Sequence, residues 1–272
     1  VVVRTGDDVA RGRMVDQHTN LVHVSRNGQI LQEREVPQAM QENPLQQLLT
    51  VEDILDFADS VDLEDIRQPI QQQAQLNWAI SQEGLEGCYG AMIGKELMAQ
   101  AGSDWKARLR ARAAAGSDAR MSGCELPVVI VSGSGNQGLT ASLPVMEYAA
   151  MKGIGEERMY RAMVVSNLLT VHQKTNLGRL SAFCGAVNAA CAAAAAIAYL
   201  DGMGLDGVAH TLVNSLAVVS GVVCDGAKAS CAAKISLALE AGLMGYEMYK
   251  AGHEFYDGDG IVKKGVENTL NM

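Results

Sequence analysis

Polar and apolar residues alternate through the first 36 positions, as in Leu21-Val22-His23-Val24 and Gln29-Ile30-Leu31-Gln32, with Asn27-Gly28 between the two runs. A period of two puts successive side chains on opposite faces of a strand, and Asn-Gly suits a two-residue hairpin turn. This portion is expected to be β structure. After Pro37 the period changes. Beyond Asn43-Pro44, Thr50 stands before Val-Glu-Asp-Ile-Leu-Asp-Phe-Ala with Asp53 three positions on, the arrangement of a capping box. From there the spacing predicts helices near 51–61, 63–82, 91–101, 105–115, 138–151, 156–173, 180–200, 208–219 and 227–250. Two glycine-rich stretches, 84–94 and 116–138, read as interruptions. The expected class is α+β, mostly helical: a short N-terminal β-hairpin region over 1–37 and a large all-helical domain over 38–272.

Composition sharpens the helical reading. Aromatic residues make up 4% of the 272, while alanine, glycine and methionine are abundant, which favours closely approaching helices over a β-sandwich. The most apolar run, Ala189 to Leu200, is shorter than the roughly 20 residues of a membrane helix and is bracketed by Asn188 and Asp201, so it reads as a core helix. No membrane association is expected. A net charge of −9, with the cations scattered except between Lys106 and Arg112, offers no basic surface for phosphate backbones, and nucleic acid is not an expected partner. Six cysteines spread through apolar segments differ from the dense framework of a small secreted domain. A reducing cytoplasm is the expected compartment.

Candidate chemistry starts with the stretch from Arg179 to Ile235. Cys224 follows Cys184 by 40 residues and Cys231 follows Cys224 by seven. Thiolates are soft ligands suited to iron–sulfur clusters. Two cysteines seven apart on one straight helix lie about 10.5 Å apart along its axis, too far for one compact cluster. Asp225-Gly226 is a turn signal, however, so Cys224 is expected in a loop with Cys231 on the helix behind it. Cys184 and Cys191 have the same spacing without a comparable break, and Cys184, beside Gly185, is the candidate ligand of that pair. The alternative is that all six cysteines are small buried hydrophobes.

Ser132-Gly-Ser-Gly-Asn-Gln-Gly138 follows the apolar run 128–131 and precedes a helical segment, so its N–H groups would attract carboxylate or phosphate oxygens. It lacks the Lys-Ser/Thr ending of a P-loop and the Rossmann glycine spacing, so no nucleotide site is read there. Upstream, Asp118 and Arg120 would face the same cavity mouth if the two loops meet, and Arg120 could fork onto a carboxylate. The five histidines form no zinc signature. Glu83 and Glu86 have no partner carboxylate for an acid pair.

Taken together, Ala-Gly-Ser-Asp-Ala-Arg-Met-Ser-Gly, Ser-Gly-Ser-Gly-Asn-Gln-Gly-Leu-Thr-Ala-Ser-Leu-Pro and Cys-Asp-Gly-Ala-Lys-Ala-Ser-Cys-Ala-Ala-Lys resemble the L-cysteine desulfidase family, relatives of the iron–sulfur L-serine dehydratase alpha chain. His18-Thr-Asn-Leu-Val-His23 and Leu76-Asn-Trp-Ala-Ile-Ser-Gln-Glu-Gly84 extend the likeness over nearly the whole chain. The resemblance implies a [4Fe-4S] cluster held by Cys184, Cys224 and Cys231 with one iron open to substrate, and no pyridoxal phosphate. It implies a lyase that eliminates hydrogen sulfide from L-cysteine, or water from L-serine, to give pyruvate and ammonia. Ser134, Gly135, Asn136 and Gln137, supported by Arg120, would bind this small amino-acid substrate, and Asp225 would orient the cluster loop. For the base, His18, His172, Lys228 and Lys234 are candidates. Residues 1–37 would be the β-rich, truncated end of a preceding α/β domain and 38–272 the cluster-binding catalytic domain. The family's N-terminal Gly-Cys-Thr-Glu-Pro motif has no match here and a C-terminal tail is missing, so an inactive fragment is one alternative. The others are a non-catalytic small-molecule-binding module and an assembly domain pairing as a homodimer.

Overall fold

The structure is a computed structural model, and it describes residues 1–15, 19–35, 45, 48–175 and 181–271. The boundary expected at Pro37, the Asn43-Pro44 break and the candidate base His18 lie outside the described residues.

Strands β1 (Val2–Thr5), β2 (Asp8–Met14), β3 (Leu21–Arg26) and β4 (Gln29–Glu33) form an antiparallel sheet in sequence order. Arg26 pairs with Gln29 across Asn27 and Gly28, whose φ angles are 50° and 85°. Both therefore adopt the left-handed conformation of a type I′ turn. The Asn27 carboxamide secures it, accepting from the Val9 N–H at 2.7 Å and donating to Asp8 at 2.6 Å. Val22 and Ser25 are the buried strand residues, so the sheet's faces remain largely open.

Ten helices follow among the described residues: α1 (Val51–Ser60), α2 (Leu63–Glu86), α3 (Ile93–Ala101), α4 (Trp105–Met121), α5 (Gly135–Lys152), α6 (Glu156–His172), α7 (Gly185–Leu200), α8 (Gly204–Val219), α9 (Ser230–Lys250) and α10 (Val266–Leu270). Thr50 caps α1, its hydroxyl accepting from the Asp53 N–H at 3.1 Å. Every expected helix is present, but α4 runs six residues further than its pattern indicated and α5 begins three earlier. Asp118 and Arg120 are therefore helical rather than in a loop. Gly84, Gly94 and Gly116, read as interruptions, also lie within helices. The reason is close approach: a Cβ on Gly84 would sit 2.0 Å from the Ala115 carbonyl oxygen, and one on Gly94 2.2 Å from the Ala115 nitrogen. Helices α2 and α3 thus both rest on the α4 backbone, and glycine's usual helix penalty is offset by that contact.

Two helices are enclosed by the others. α7 packs against α5, α6, α8 and α9, while α4 packs against α2, α3, α5 and α9. Residues Ala189 to Ala198 of α7 are all inaccessible to solvent, since small side chains let four neighbours approach one axis. The charges buried between α4 and α5 are paired. Glu147 of α5 accepts from Arg108 at 2.8 Å and from Arg112 at 3.0 Å on α4, and Arg112 lies 4.1 Å over the Trp78 ring of α2. At the C-terminal end of α7, Asp201 accepts the Tyr148 hydroxyl at 2.8 Å and the Tyr246 hydroxyl at 2.5 Å. No helix among the described residues is long and apolar enough to cross a membrane.

Candidate functional site

The three candidate cysteines come from two short segments that pair with one another. The Cys184 N–H donates to the Val222 carbonyl at 3.0 Å and the Cys224 N–H to the Ala182 carbonyl at 2.7 Å, flanking a bridge between Phe183 and Val223. Cys184 occupies the N-cap of α7. Cys224 lies on the extended piece before the 225–229 turn, and Cys231 sits in the first turn of α9. The break at Asp225-Gly226 therefore separates the pair as its turn chemistry indicated. Burial pushes the Cys184 thiol above its ordinary value; the N–H groups of Ala186 and Val187 at the open end of α7 act against this, while Cys224 and Cys231 add to it. The three sulfurs thus share one electrostatic neighbourhood.

The glycine-rich loop closes the other side. Ser134 caps α5, accepting from the Gln137 N–H at 3.5 Å. Arg120, in the last turn of α4, donates to the Asn136 side-chain oxygen at 3.3 Å. A Cβ on Gly135 would lie 2.3 Å from the Arg120 Nε, and one on Gly185 would lie 2.7 Å from the Gln137 amide carbon. Those two glycines let the loop, the guanidinium and the start of α7 touch. Burial lowers the Arg120 pKa and the Cys231 sulfur raises it, which ties this corner to the cysteines. The N-termini of α5, α7 and α9 therefore meet at one place, where the positive ends of the helix dipoles favour anions. Gln137 is fully buried there with neither amide atom hydrogen-bonded.

Other polar groups surround this corner. Asp225 accepts from both Lys228 and Lys234, and these hold its carboxyl well below the usual carboxylate range. Both lysines are thereby engaged. His172 pairs through Nε2 with Glu267 at 2.8 Å, and its Nδ1 is buried without a partner. Asp118 is fully buried. One of its oxygens accepts the Gly94 N–H at 2.8 Å, supplying the cap that Met92 does not give α3, and the other has no partner. Burial pushes its carboxyl up to about 6 against the N–H groups of Gly94 and Ile93. A cavity of about 240 Å³ opens beside Cys184, walled by Val187, Leu216, Val219 and Val222 with Gln173 and Asn188 as polar edges.

A sequence model of the family described as "Serine dehydratase alpha chain" matches residues 18–272. The chain belongs to that family. Similar curated proteins include a UPF0597 protein of Desulfitobacterium hafniense, 55% identical over 97% of this chain and 62% of its own length. Another, from Lachnoclostridium phytofermentans, is 44% identical over all of this chain and 65% of its own length, and one from Treponema denticola is 44% identical over 97% and 63%. The chain thus spans a little under two thirds of these relatives. No solved structure matches it.

In this member of the serine dehydratase alpha chain family, the fold brings together Arg120, Ser134, Gly135, Asn136, Gln137, Cys184, Cys224 and Cys231, with Asp225, Lys228 and Lys234 beside Cys231. His172 stands apart from that group, at its contact with α10. Sequence reasoning missed Lys174, which is 8% exposed in the turn that leaves α6. A lysine in His-Gln-Lys-Thr carries no signal of burial, because its turn is fixed by bonds between Gln173 and Asn188 on another helix.

Proposed function

We propose that this chain carries the iron–sulfur centre of an elimination lyase acting on L-cysteine or L-serine. The α C–H and the Cβ–S (or Cβ–O) bonds break, releasing hydrogen sulfide (or water) and 2-aminoacrylate, which hydrolyses to pyruvate and ammonia. The observation that carries this reading is the meeting of Cys184, Cys224 and Cys231 with three helix N-termini and the Arg120 guanidinium. A soft thiolate donor set in an anion-favouring corner fits a [4Fe-4S] cluster, with Cys184, Cys224 and Cys231 as the residues that would hold it. When bound, the cluster would supply a Lewis acid for the substrate thiol or hydroxyl. Arg120 would fork onto the substrate carboxylate, while the Asn136 and Gln137 amides take its remaining polar groups. The unpartnered state of Gln137 supports that role, because a buried amide without hydrogen bonds is costly unless a ligand completes it.

A second reading, a small-molecule-binding module without a cluster, is favoured by one observation. Among the described residues no three His, Cys, Asp or Glu side chains are grouped to hold a single metal ion. A four-iron cube keeps its thiolates further apart than one ion does, which is why the first reading is preferred. Anaerobic purification with iron and sulfide counts, and visible spectra before and after L-cysteine or L-serine, separates the two. A cluster whose spectrum responds to one amino acid, with pyruvate formed, is the expected result. A colourless protein that fails reconstitution but binds an amino acid would replace it with the second reading.

A further inference from the structure

The cavity of about 240 Å³ beside Cys184 is bounded by the end of α6, the start of α7, the last turn of α8 and the extended piece that carries Val222. Its walls are mostly apolar, and none of the residues lining it is charged. Gln173, at the α6 end, is 5% exposed. Both hydrogens of its amide nitrogen are spent, on the Leu169 carbonyl at 3.1 Å and the Asn188 carbonyl at 3.0 Å. Those bonds fix which end of the amide is nitrogen, and the other end, Oε1, is buried without a partner. The nearby Thr269 hydroxyl does not supply one, because it donates to the backbone carbonyls of Lys263 and Gly265. An unmet buried acceptor is costly until a donor arrives. With no charged group in the wall, an ammonium or a carboxylate entering here would lose its hydration without a counter-charge. The occupant that fits is neutral, with an apolar body and one hydrogen-bond donor. At roughly 30 Å³ for each water, the space also exceeds what hydrogen sulfide or water alone would fill.

We propose that this cavity is the chamber for the leaving group, and that it widens the substrate class from L-cysteine to S-alkyl-L-cysteines whose departing group is a short aliphatic thiol. Resting on the lyase reading above, this puts the charged head of the substrate at Arg120, Asn136 and Gln137, and the sulfur substituent among Val187, Leu216, Val219 and Val222. The two places adjoin, because Gly185, against which Gln137 packs, follows Cys184 in the cavity wall. In S-propyl-L-cysteine the α C–H and Cβ–S bonds break and the released proton ends on sulfur. 1-Propanethiol departs from 2-aminoacrylate, which takes up water to give pyruvate and ammonia. The thiol S–H then donates to Gln173 Oε1 while the propyl group meets the apolar walls.

The first half of the test needs no cluster. Calorimetry on the metal-free chain under anaerobic conditions should show 1-propanethiol bound at one site. Propylammonium and butyrate, similar in length but charged, should bind about a hundredfold more weakly or not at all. Val222→Phe, which fills the space, and Gln173→Leu, which removes the acceptor, should each weaken the thiol about tenfold. Equal binding of charged and neutral probes, or binding unchanged in both variants, overturns the proposal. The second half measures pyruvate from L-cysteine and from S-propyl-L-cysteine after anaerobic loading with iron and sulfide. Both should yield it, and in Val222→Phe the ratio of kcat/KM for S-propyl-L-cysteine to that for L-cysteine should fall about tenfold. Pyruvate from L-cysteine alone overturns the proposal and leaves the lyase reading standing. Pyruvate from neither removes the lyase reading, and the cavity is then decided by calorimetry, where a failure to bind 1-propanethiol rejects it.

Discussion

Cys184 and Cys191 stand seven residues apart, and so do Cys224 and Cys231, yet the fold treats the two pairs differently. Cys191 lies in the sealed middle of α7, where burial pushes its thiol up to about 12. Cys184 lies one residue before that helix begins, close to both members of the second pair. Two turns of unbroken helix separate the first pair by about 10.5 Å along the axis. The 225–229 turn folds the second pair back on itself. Spacing alone does not select a ligand; a chain break between the two residues does. The same contrast runs through the whole molecule, between helix interiors packed through small side chains and helix ends that gather polar groups.

The sharpest way to break this comparison is to remove sulfurs one at a time. Cys184→Ser, Cys224→Ser and Cys231→Ser should each reduce iron retained after anaerobic reconstitution to a tenth or less of the parent's value, measured as iron per chain. Cys191→Ser should bind iron as the parent does. Loss of iron from Cys191→Ser, or its retention by the other three, would abolish the distinction between the ends and the interior of α7.

What was legible beforehand follows the same division. The Asn27-Gly28 turn, the Thr50 cap and the break after Cys224 could be read because each is decided by residues within a few positions of one another. Gly84, Gly94 and Gly116 misled because glycine serves both as a chain break and as a point of close contact. Which use applies depends on Ala115 or on Leu139 and Leu143 of another helix. Asp118 was misplaced for a related reason. It caps α3 from α4, so the group that starts α3 lies beyond α3 in the sequence. The candidate site was legible as a residue set. The burial of the unpaired Gln137 amide depended on tertiary packing.

The sealed interior can be tested through its charges. Glu147→Ala would leave Arg112 and Arg108 facing no carboxylate at the junction of α2, α4 and α5. It should cost about 3–5 kcal/mol in chemical denaturation. A loss below 1 kcal/mol would mean that this ion network does not hold the interior together. Asp118 gives a pH-dependent counterpart. Its carboxyl titrates near 6 when folded and near 3.8 when unfolded, so between those values the native state binds more protons. Stability from this group is therefore highest below pH 4, falls as pH rises to about 6 and is level above, by at most about 3 kcal/mol. Asp118→Asn, which can still accept the Gly94 N–H, should flatten that slope and be the more stable protein at pH 7. An unchanged slope in denaturation series from pH 4 to 7 would place the titration elsewhere.

The smallest expected effect returns to Cys191. Its thiol is a weak hydrogen-bonding group that the alanine-lined interior accepts at little cost. A serine hydroxyl in the same place is nearly isosteric but needs a partner. Its own helix offers the carbonyl four residues earlier, Val187, and a hydroxyl that uses it spends part of its burial cost on a bond that tends to bend the helix. The net loss should be about 1–2 kcal/mol, within the range for a buried polar group that is incompletely satisfied, read from the denaturation midpoint. If Cys191→Ser loses less than half of that, the interior of α7 admits water or shifts to accommodate a polar atom. The difference between the two cysteine pairs would then be one of degree, set by distance from a helix end rather than by a sealed core.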